Sequence, residues 1–155
     1  MLCMLVVLIA LAWLARLRYP GKAPGVRIQD CDAELWNHVY RPERLHVVEP
    51  CTAVAGRVVS VHRETDGDLH IALTPDDKSV LNLVNAIHAH RTLVVEVVCE
   101  HAPSESQATA ACAGFTAHVT VPNAGDRIRV IGAYVTDRDN GWNEVHPVTR
   151  VETLH

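Results

Sequence analysis

The sequence predicts a mainly β fold, a five-stranded Greek-key barrel with one helix between strands three and four, preceded by an N-terminal hydrophobic helix. Three observations support the barrel. Five segments rich in valine, isoleucine or leucine, separated by turn signals, follow residue 51. One alanine-rich segment with helix-capping residues falls between the third and the fourth of them. The resulting order of elements is that of a small closed barrel, with an open α+β sandwich as the main alternative.

The N-terminal segment contains fifteen consecutive apolar residues, 1–15. A membrane-spanning helix needs roughly 20 apolar residues, so this run is short for a span and suits the core of a signal peptide. No basic residue precedes it, whereas Arg16 and Arg18 follow it. Taken alone, that asymmetry would place the rest of the chain in the cytoplasm. Residues 1–18 are predicted as a signal anchor or signal peptide, with an uncleaved anchor favoured over a cleaved signal and a buried core helix as the alternative.

A linker and a packing arm are predicted over residues 19–50. Prolines and glycines are frequent in its first part, which indicates a linker. Asp32 is placed to cap a short helix that runs through Val39, and Pro42 prevents its continuation. Leu35 and Trp36 are expected to pack this arm onto the barrel domain, which covers residues 51–155.

Predicted strands cover residues 52–62, 68–73, 92–99, 127–135 and 142–153. The first and fourth each contain a central glycine, Gly56 and Gly132, where a strand can bend to close a small barrel. Pro147 suggests an edge or a bulge in the last strand. The helix is predicted from an N-cap at Ser104 to Gly114 at its C-terminal end.

Cysteine usage indicates an oxidising compartment. Cys3 lies in the hydrophobic segment, and the four cysteines that follow are an even number, which suggests two disulfides. The predicted topology brings the helix end back to the third strand and the arm onto the first. The expected pairs are therefore Cys99 with Cys112 and Cys31 with Cys51. Crossed pairing or four free thiols are the alternatives, and free thiols would indicate a cytoplasmic domain.

The chain resembles OB-fold domains through two segments, GRVVSV at 56–61 and GDRIRVIGAYV at 125–135. It also resembles small exported bacterial proteins of this type whose function is uncharacterised. The segments that carry this second resemblance are RPERLHVVEPC at 41–51, DGDLHI at 66–71, LVVEVVC at 93–99 and GWNEVHPVT at 141–149. The resemblance covers residues 31–153 and implies a fold, but no catalytic motif.

Two pairs of residues are candidate ligands for a divalent metal such as zinc. Asp68 with His70, and Glu144 with His146, are each two residues apart on a predicted strand, so each pair projects from one face. Carboxylate and imidazole ligands suit zinc. The alternative is a hairpin turn at residues 66–68 and an exposed pair on the last strand. The third strand is expected to lie between them, so the pairs need not converge.

Candidate binding residues follow from the ligands of other OB folds, since nucleic acid is bound through basic grooves and aromatic platforms. The barrel offers Arg57, Arg127, Arg129, Tyr134 and Trp142. However, two of the 14 basic residues belong to segment 1–18, which leaves 12 against 18 acidic residues. An acidic domain does not attract phosphate backbones, so the charge balance argues against nucleic acid as a partner.

The sequence therefore favours a non-enzymatic binding or interaction module, membrane-anchored or secreted, outside the cytoplasmic membrane. Its partners are the membrane, through the N-terminal segment, and an unknown protein or small molecule. No catalytic residue is assigned, because no G-x-S-x-G, H-E-x-x-H or P-loop pattern occurs. A metal-dependent hydrolase or nuclease-like enzyme using the Asp/His/Glu pairs is the alternative. Glu96, in an otherwise apolar strand, is expected to be a buried carboxylate paired with an arginine or histidine.

Overall fold

A computed structural model describes residues 26–155, so the predicted N-terminal hydrophobic helix and segment 1–18 lie outside the described residues. The described part is mainly β, with few helical residues. Its strands are β1 (Leu45–Arg63), β2 (Leu69–Pro75), β3 (Leu93–Val97), β4 (Arg127–Asp137) and β5 (Asn143–Thr153). All five strands were expected from the sequence, but β1 begins at Leu45, inside the segment predicted as an arm. None of the helices in residues 26–155 has the length and apolar character needed to cross a membrane.

The five strands form one sheet that closes in a ring, in the order β1-β2-β3-β5-β4. β1 is long enough to pair with two neighbours, β4 through its first part and β2 through its second. β3 pairs antiparallel with β2 and parallel with β5. The ring gives the sheet an inner face, which carries the main apolar core, and an outer face.

Alternation along the strands decides which residues face the core. Ile71 and Leu73 on β2 and Val95 on β3 are fully buried in the inner cluster, whereas the residues between them point outward. The predicted bends at the two central glycines have a steric basis. A Cβ on Gly56 would overlap the backbone of Thr74 on β2, and one on Gly132 would overlap the backbone of Pro147 on β5. Only glycine permits such a close approach of the two backbones.

The predicted arm packs on the outer face of the sheet. It contains three short 3-10 segments, Ile28–Asp30, Ala33–His38 and Pro42–Arg44. Asp32 caps the second of them by accepting a hydrogen bond from the backbone of Glu34 at 3.0 Å, as the sequence indicated. The apolar residues of the arm pack with Ala133 and Val135 of β4 in a second hydrophobic cluster. These arm residues are Leu35, Trp36 and Val39.

Both predicted disulfides are present. Cys31 is bonded to Cys51, with 5.6 Å between their Cα atoms, and ties the start of the arm to β1. Cys99 is bonded to Cys112, with a Cα separation of 5.5 Å. Structural disulfides persist in oxidising compartments, so these two indicate an extracytoplasmic environment.

The prediction of a helix between strands three and four is wrong. Residues 104–114 form a series of turns in which the backbone bonds join residues three apart, such as Ala111 to Ala108. Ser104 does not cap a helix, because its backbone and hydroxyl both donate to the carbonyl of Thr65. The disulfide at Cys112 fixes the end of this segment. Helix propensity is a weak preference that such long-range contacts override. The α-helix of the described residues is α1 (Leu83–Ile87), between β2 and β3.

Candidate functional site

Charged residues from three strands meet on the outer face of the sheet. His70 on β2 lies opposite Glu96 on β3, and their Nδ1 and Oε1 atoms are 3.2 Å apart. The register that pairs Val95 with Val145 sets Glu96 level with His146 on β5. The two pairs predicted from the sequence therefore converge on either side of Glu96. Glu96 was expected to be a buried carboxylate paired with histidine or arginine; the pairing is confirmed, but the side chain is half-buried and keeps 13% of its exposure.

His146 is the centre of this group. Its ring is fully buried, and Nδ1 lies 3.1 Å from Oε1 of Glu144. Its Nε2 lies 3.8 Å from Oδ2 of Asp68, which is an ion-pair distance but too long for a hydrogen bond. The other Asp68 oxygen accepts a hydrogen bond from the backbone of Cys99 at 2.8 Å. Asp68 Oδ2 and His146 Nε2 have no hydrogen-bond partner among residues 26–155.

Arg44, the last residue of the arm's third 3-10 segment, reaches into the group. Its guanidinium forms an ion pair with Asp137 and lies 3.8 Å from Oε1 of Glu144. The indole Nε1 of Trp142 donates to the other oxygen of Glu144 at 2.9 Å. Asp137 is fully buried, and it also accepts bonds from the backbone and side chain of Asn140. Arg44 thus joins the arm to β4 and β5 at once.

These residues are called the ionic cluster from here on: Arg44, Asp68, His70, Glu96, Asp137, Glu144 and His146. Burial alone would lower the pKa of His146, but the hydrogen bond to Glu144 and the charges of Glu144, Glu96 and Asp68 raise it above its ordinary value. The pKa of His70 is raised in the same way, since the Glu96 hydrogen bond and charge outweigh burial.

The carboxylates of the ionic cluster respond in opposite directions. Burial would raise the pKa of Glu96, but the His70 hydrogen bond and the charges of His146, His70 and Arg44 hold it below its ordinary value. Burial dominates at Asp68, where the pKa rises to about 7 despite the charge of His146. The cluster thus places Arg44 and the two imidazoles beside the carboxyl groups of Glu96, Asp137 and Glu144.

The metal hypothesis gains no support from this geometry. Within the described part of the chain, no group of three or more His, Cys, Asp or Glu side chains has an arrangement suited to a metal ion. Asp68, His70, Glu144 and His146 come together, but they bond to one another and to Glu96. Arg44 already supplies the positive charge that a metal would bring. The cluster is arranged to hold the arm against the sheet.

Two of the five predicted binding residues share a groove, and the other three lie elsewhere. Arg57 and Arg127 are directly opposite each other on β1 and β4, and both line an open groove of about 400 Å³. Arg129, on the same strand, forms an ion pair with Glu152 at 3.1 Å. Tyr134 donates its hydroxyl to the carbonyl of Val80 and packs against the core. Trp142 belongs beside the ionic cluster, as described above.

The groove is lined by Arg57, Val58, Val59, Thr74, Pro75, Asp76, Lys78 and Arg127, and is called the basic groove. Three of these side chains are cationic. The single carboxylate among them, Asp76, is 2.7 Å from Arg127. Arg57 donates to the carbonyl of Gly125, which holds its guanidinium at the groove. No aromatic side chain from the described residues 26–155 lines it.

Sequence reasoning missed three contributors to these regions. Arg44 and Asp137 belong to the ionic cluster, and Lys78 belongs to the basic groove. Pro42 at the start of the third 3-10 segment was a signal that the chain turns before Arg44. The turn residues at 139–141 indicated a tight loop after Asp137, but neither signal reveals that the two residues meet.

Comparison with known proteins does not assign the chain to a family. No family model matches it, and no curated protein matches it.

Proposed function

We propose that the chain is a non-enzymatic binding module of the OB type, which works outside the cytoplasmic membrane and binds carboxylate-rich ligands in the basic groove. The ring order β1-β2-β3-β5-β4 and the parallel pairing of β3 with β5 support the OB assignment. The two disulfides support the compartment. In this proposal, segment 1–18 attaches the module to the membrane or directs its export.

One observation carries the choice of surface. Arg57, Lys78 and Arg127 converge on one open groove that contains a single carboxylate, in a chain with a formal net charge of -4. Several other charged side chains on the sheet are paired, as in the ionic cluster and between Arg129 and Glu152. Exposed cations in a concave surface attract anionic groups and orient them.

The chemistry of the lining favours carboxylates over single-stranded nucleic acid. Nucleic-acid grooves of OB folds combine cations with aromatic side chains on which bases stack. The basic groove has aliphatic side chains in that place, with Val59 about half exposed. An acidic peptide segment, or a small molecule with several carboxylates, offers both charge and apolar contact to such a surface.

The test is a binding titration with the full chain in micelles of a neutral detergent. The probes are a hexaglutamate peptide, the small tricarboxylate citrate, and a twelve-nucleotide oligothymidylate. Hexaglutamate should bind, and its affinity should fall with added salt. R57Q and K78Q should each lower the affinity for hexaglutamate about tenfold, which corresponds to about 1.4 kcal/mol of binding free energy.

The matched control is R27Q, since Arg27 is an exposed arginine on the arm, outside the groove. Its affinity should equal that of the unmodified chain. Stronger binding of citrate than of the peptide would identify a small-molecule site. The proposal would be overturned if neither hexaglutamate nor citrate bound, or if R27Q and R57Q lost the same affinity for hexaglutamate. Tighter binding of the oligothymidylate than of hexaglutamate would replace the proposal by a nucleic-acid function.

A further inference from the structure

Two histidines lie side by side on the outer face of the sheet, away from the basic groove. His62 on β1 is directly opposite His70 on β2 in the antiparallel register. Side chains at directly opposite positions project from the same face, with Cβ atoms about 4.5–5.5 Å apart. His62 is exposed, and the His70 side chain retains 23% of its exposure. Solvent therefore reaches both imidazoles.

Glu96 lies beside the ring of His70, with its Oε1 atom 3.2 Å from Nδ1. Because a carboxylate can only accept, a hydrogen on Nδ1 is the tautomer that suits this contact. In the neutral imidazole with that tautomer, the lone pair is on Nε2. A carboxylate bound to the far nitrogen of a histidine is the arrangement that orients metal-binding imidazoles.

We propose that His62 and His70 form a surface site for a divalent transition-metal ion of the zinc and copper class, with Glu96 as a positioning residue. Each imidazole contributes one nitrogen at the usual distance of about 2.0–2.1 Å, and water completes the coordination. The site uses two protein ligands, which is consistent with the lack of a group of three or more in the described residues. It shares His70 with the hypothesis drawn from the sequence, but replaces the other three residues by His62.

The proposal is independent of the basic groove, and its test uses zinc alone. The full chain in neutral detergent is titrated calorimetrically with Zn²⁺ after removal of metals by a chelator and buffer exchange. One equivalent of Zn²⁺ should bind. H62A should weaken it at least about tenfold, because one of the two protein ligands is lost. H118A, which removes an exposed histidine elsewhere, is the matched control and should bind as the unmodified chain does.

Electron paramagnetic resonance with Cu²⁺ identifies the ligands directly. The unmodified chain should show coupling to two imidazole nitrogens, and H62A to one. E96Q should keep the two-nitrogen signature while its affinity falls about tenfold, as for other carboxylates that orient a ligating histidine. Equal Zn²⁺ affinity of H62A and the unmodified chain, equal losses in H62A and H118A, or no Zn²⁺ binding would each overturn the proposal.

Discussion

The ionic cluster and the basic groove both place charged side chains on the outer face of one sheet, but only in the cluster are they largely buried and paired. There each carboxylate has a cation, an imidazole or a hydrogen-bond donor beside it, and of the two imidazoles only His70 keeps access to solvent. In the groove, Arg57 and Lys78 have no carboxylate partner among the described residues and face solvent. Burial and pairing, rather than the presence of charge, therefore separate residues that hold a fold from residues that are free to bind, and His70, which is paired but partly exposed, lies between the two groups.

Burial decides the role of three of the predicted ligands. Asp68, Glu144 and His146 have the residue types of a ligand set, but all three are buried in the structure. Their charges must be neutralised, because an unpaired buried charge is costly. Arg44 performs this from the arm itself, so the same contact balances the charge and holds the arm in place.

The largest expected effect comes from removing that contact. R44M should lower the free energy of unfolding by about 3 kcal/mol, because Asp137 and Glu144 then lose their cation while buried. Urea unfolding followed by tryptophan fluorescence measures it. R41M is the matched control, since Arg41 pairs with Asp139 on the exposed surface. Its free energy of unfolding should fall by at most about 1 kcal/mol. Equal losses in the two variants would show that the cluster is no more than a set of surface charges.

Removing the disulfide between Cys31 and Cys51 should lower the free energy of unfolding by a similar or slightly smaller amount than R44M does. The chain-entropy model gives about 3 kcal/mol for a loop of this length, with a sequence separation of 20. The double variant C31A/C51A should also become sensitive to limited proteolysis within residues 26–44, while the strands stay protected. The variant C99A/C112A, with a separation of 13, is the comparison because its disulfide does not attach the arm. Cleavage of the arm at equal rates in both variants would contradict its attachment through Cys31.

A smaller effect is expected from pH. The folded pKa of Asp68, about 7, exceeds its unfolded value of about 3.9, so the native state binds its proton more tightly and loses stability as pH rises between these values. The raised pKa of His146 acts in the same direction, because its stabilisation is complete below about 6.5 and is lost as pH rises through the folded pKa. The free energy of unfolding should therefore fall from pH 5 to pH 8.

D68N is the variant that sharpens this prediction. It cannot ionise, so its free energy of unfolding should fall less steeply over the same interval, which equilibrium unfolding at several pH values measures. D30N, at an exposed part of the arm, should keep the slope of the unmodified chain. On the acid side, the lowered pKa values of Glu96 and Asp137 mean that stability present above their ordinary pKa is lost as pH falls through the folded values. A slope that D68N leaves unchanged would remove Asp68 from the account.

Local patterns predicted much of this fold. Alternation along β2 and β4, the cap at Asp32 and both cysteine pairs were accessible because each depends on neighbours in sequence or on the strand order. The segment 104–114 was not, since its turns are set by bonds to Thr65 and by the disulfide at Cys112.

The candidate sites were less accessible than the fold. Arg44 and Asp137 are 93 positions apart, and nothing local in either segment indicates that they meet. The Asp/His/Glu pairs were recognisable as a pattern, but the pattern is the same for a metal site and for a buried ionic cluster. The burial of Asp68, Glu144 and His146 and the contact with Arg44, seen in the structure, distinguish the two.

The most direct test of the contrast between buried and open charge is to measure unfolding and hexaglutamate binding on the same three proteins. R57Q should change the free energy of unfolding by less than about 0.5 kcal/mol, as for other exposed substitutions, while it weakens hexaglutamate binding about tenfold. R44M should destabilise the fold by about 3 kcal/mol and, where the chain is still folded, bind hexaglutamate as the unmodified chain does. A stable R44M that fails to bind, together with an R57Q that binds normally, would contradict the account.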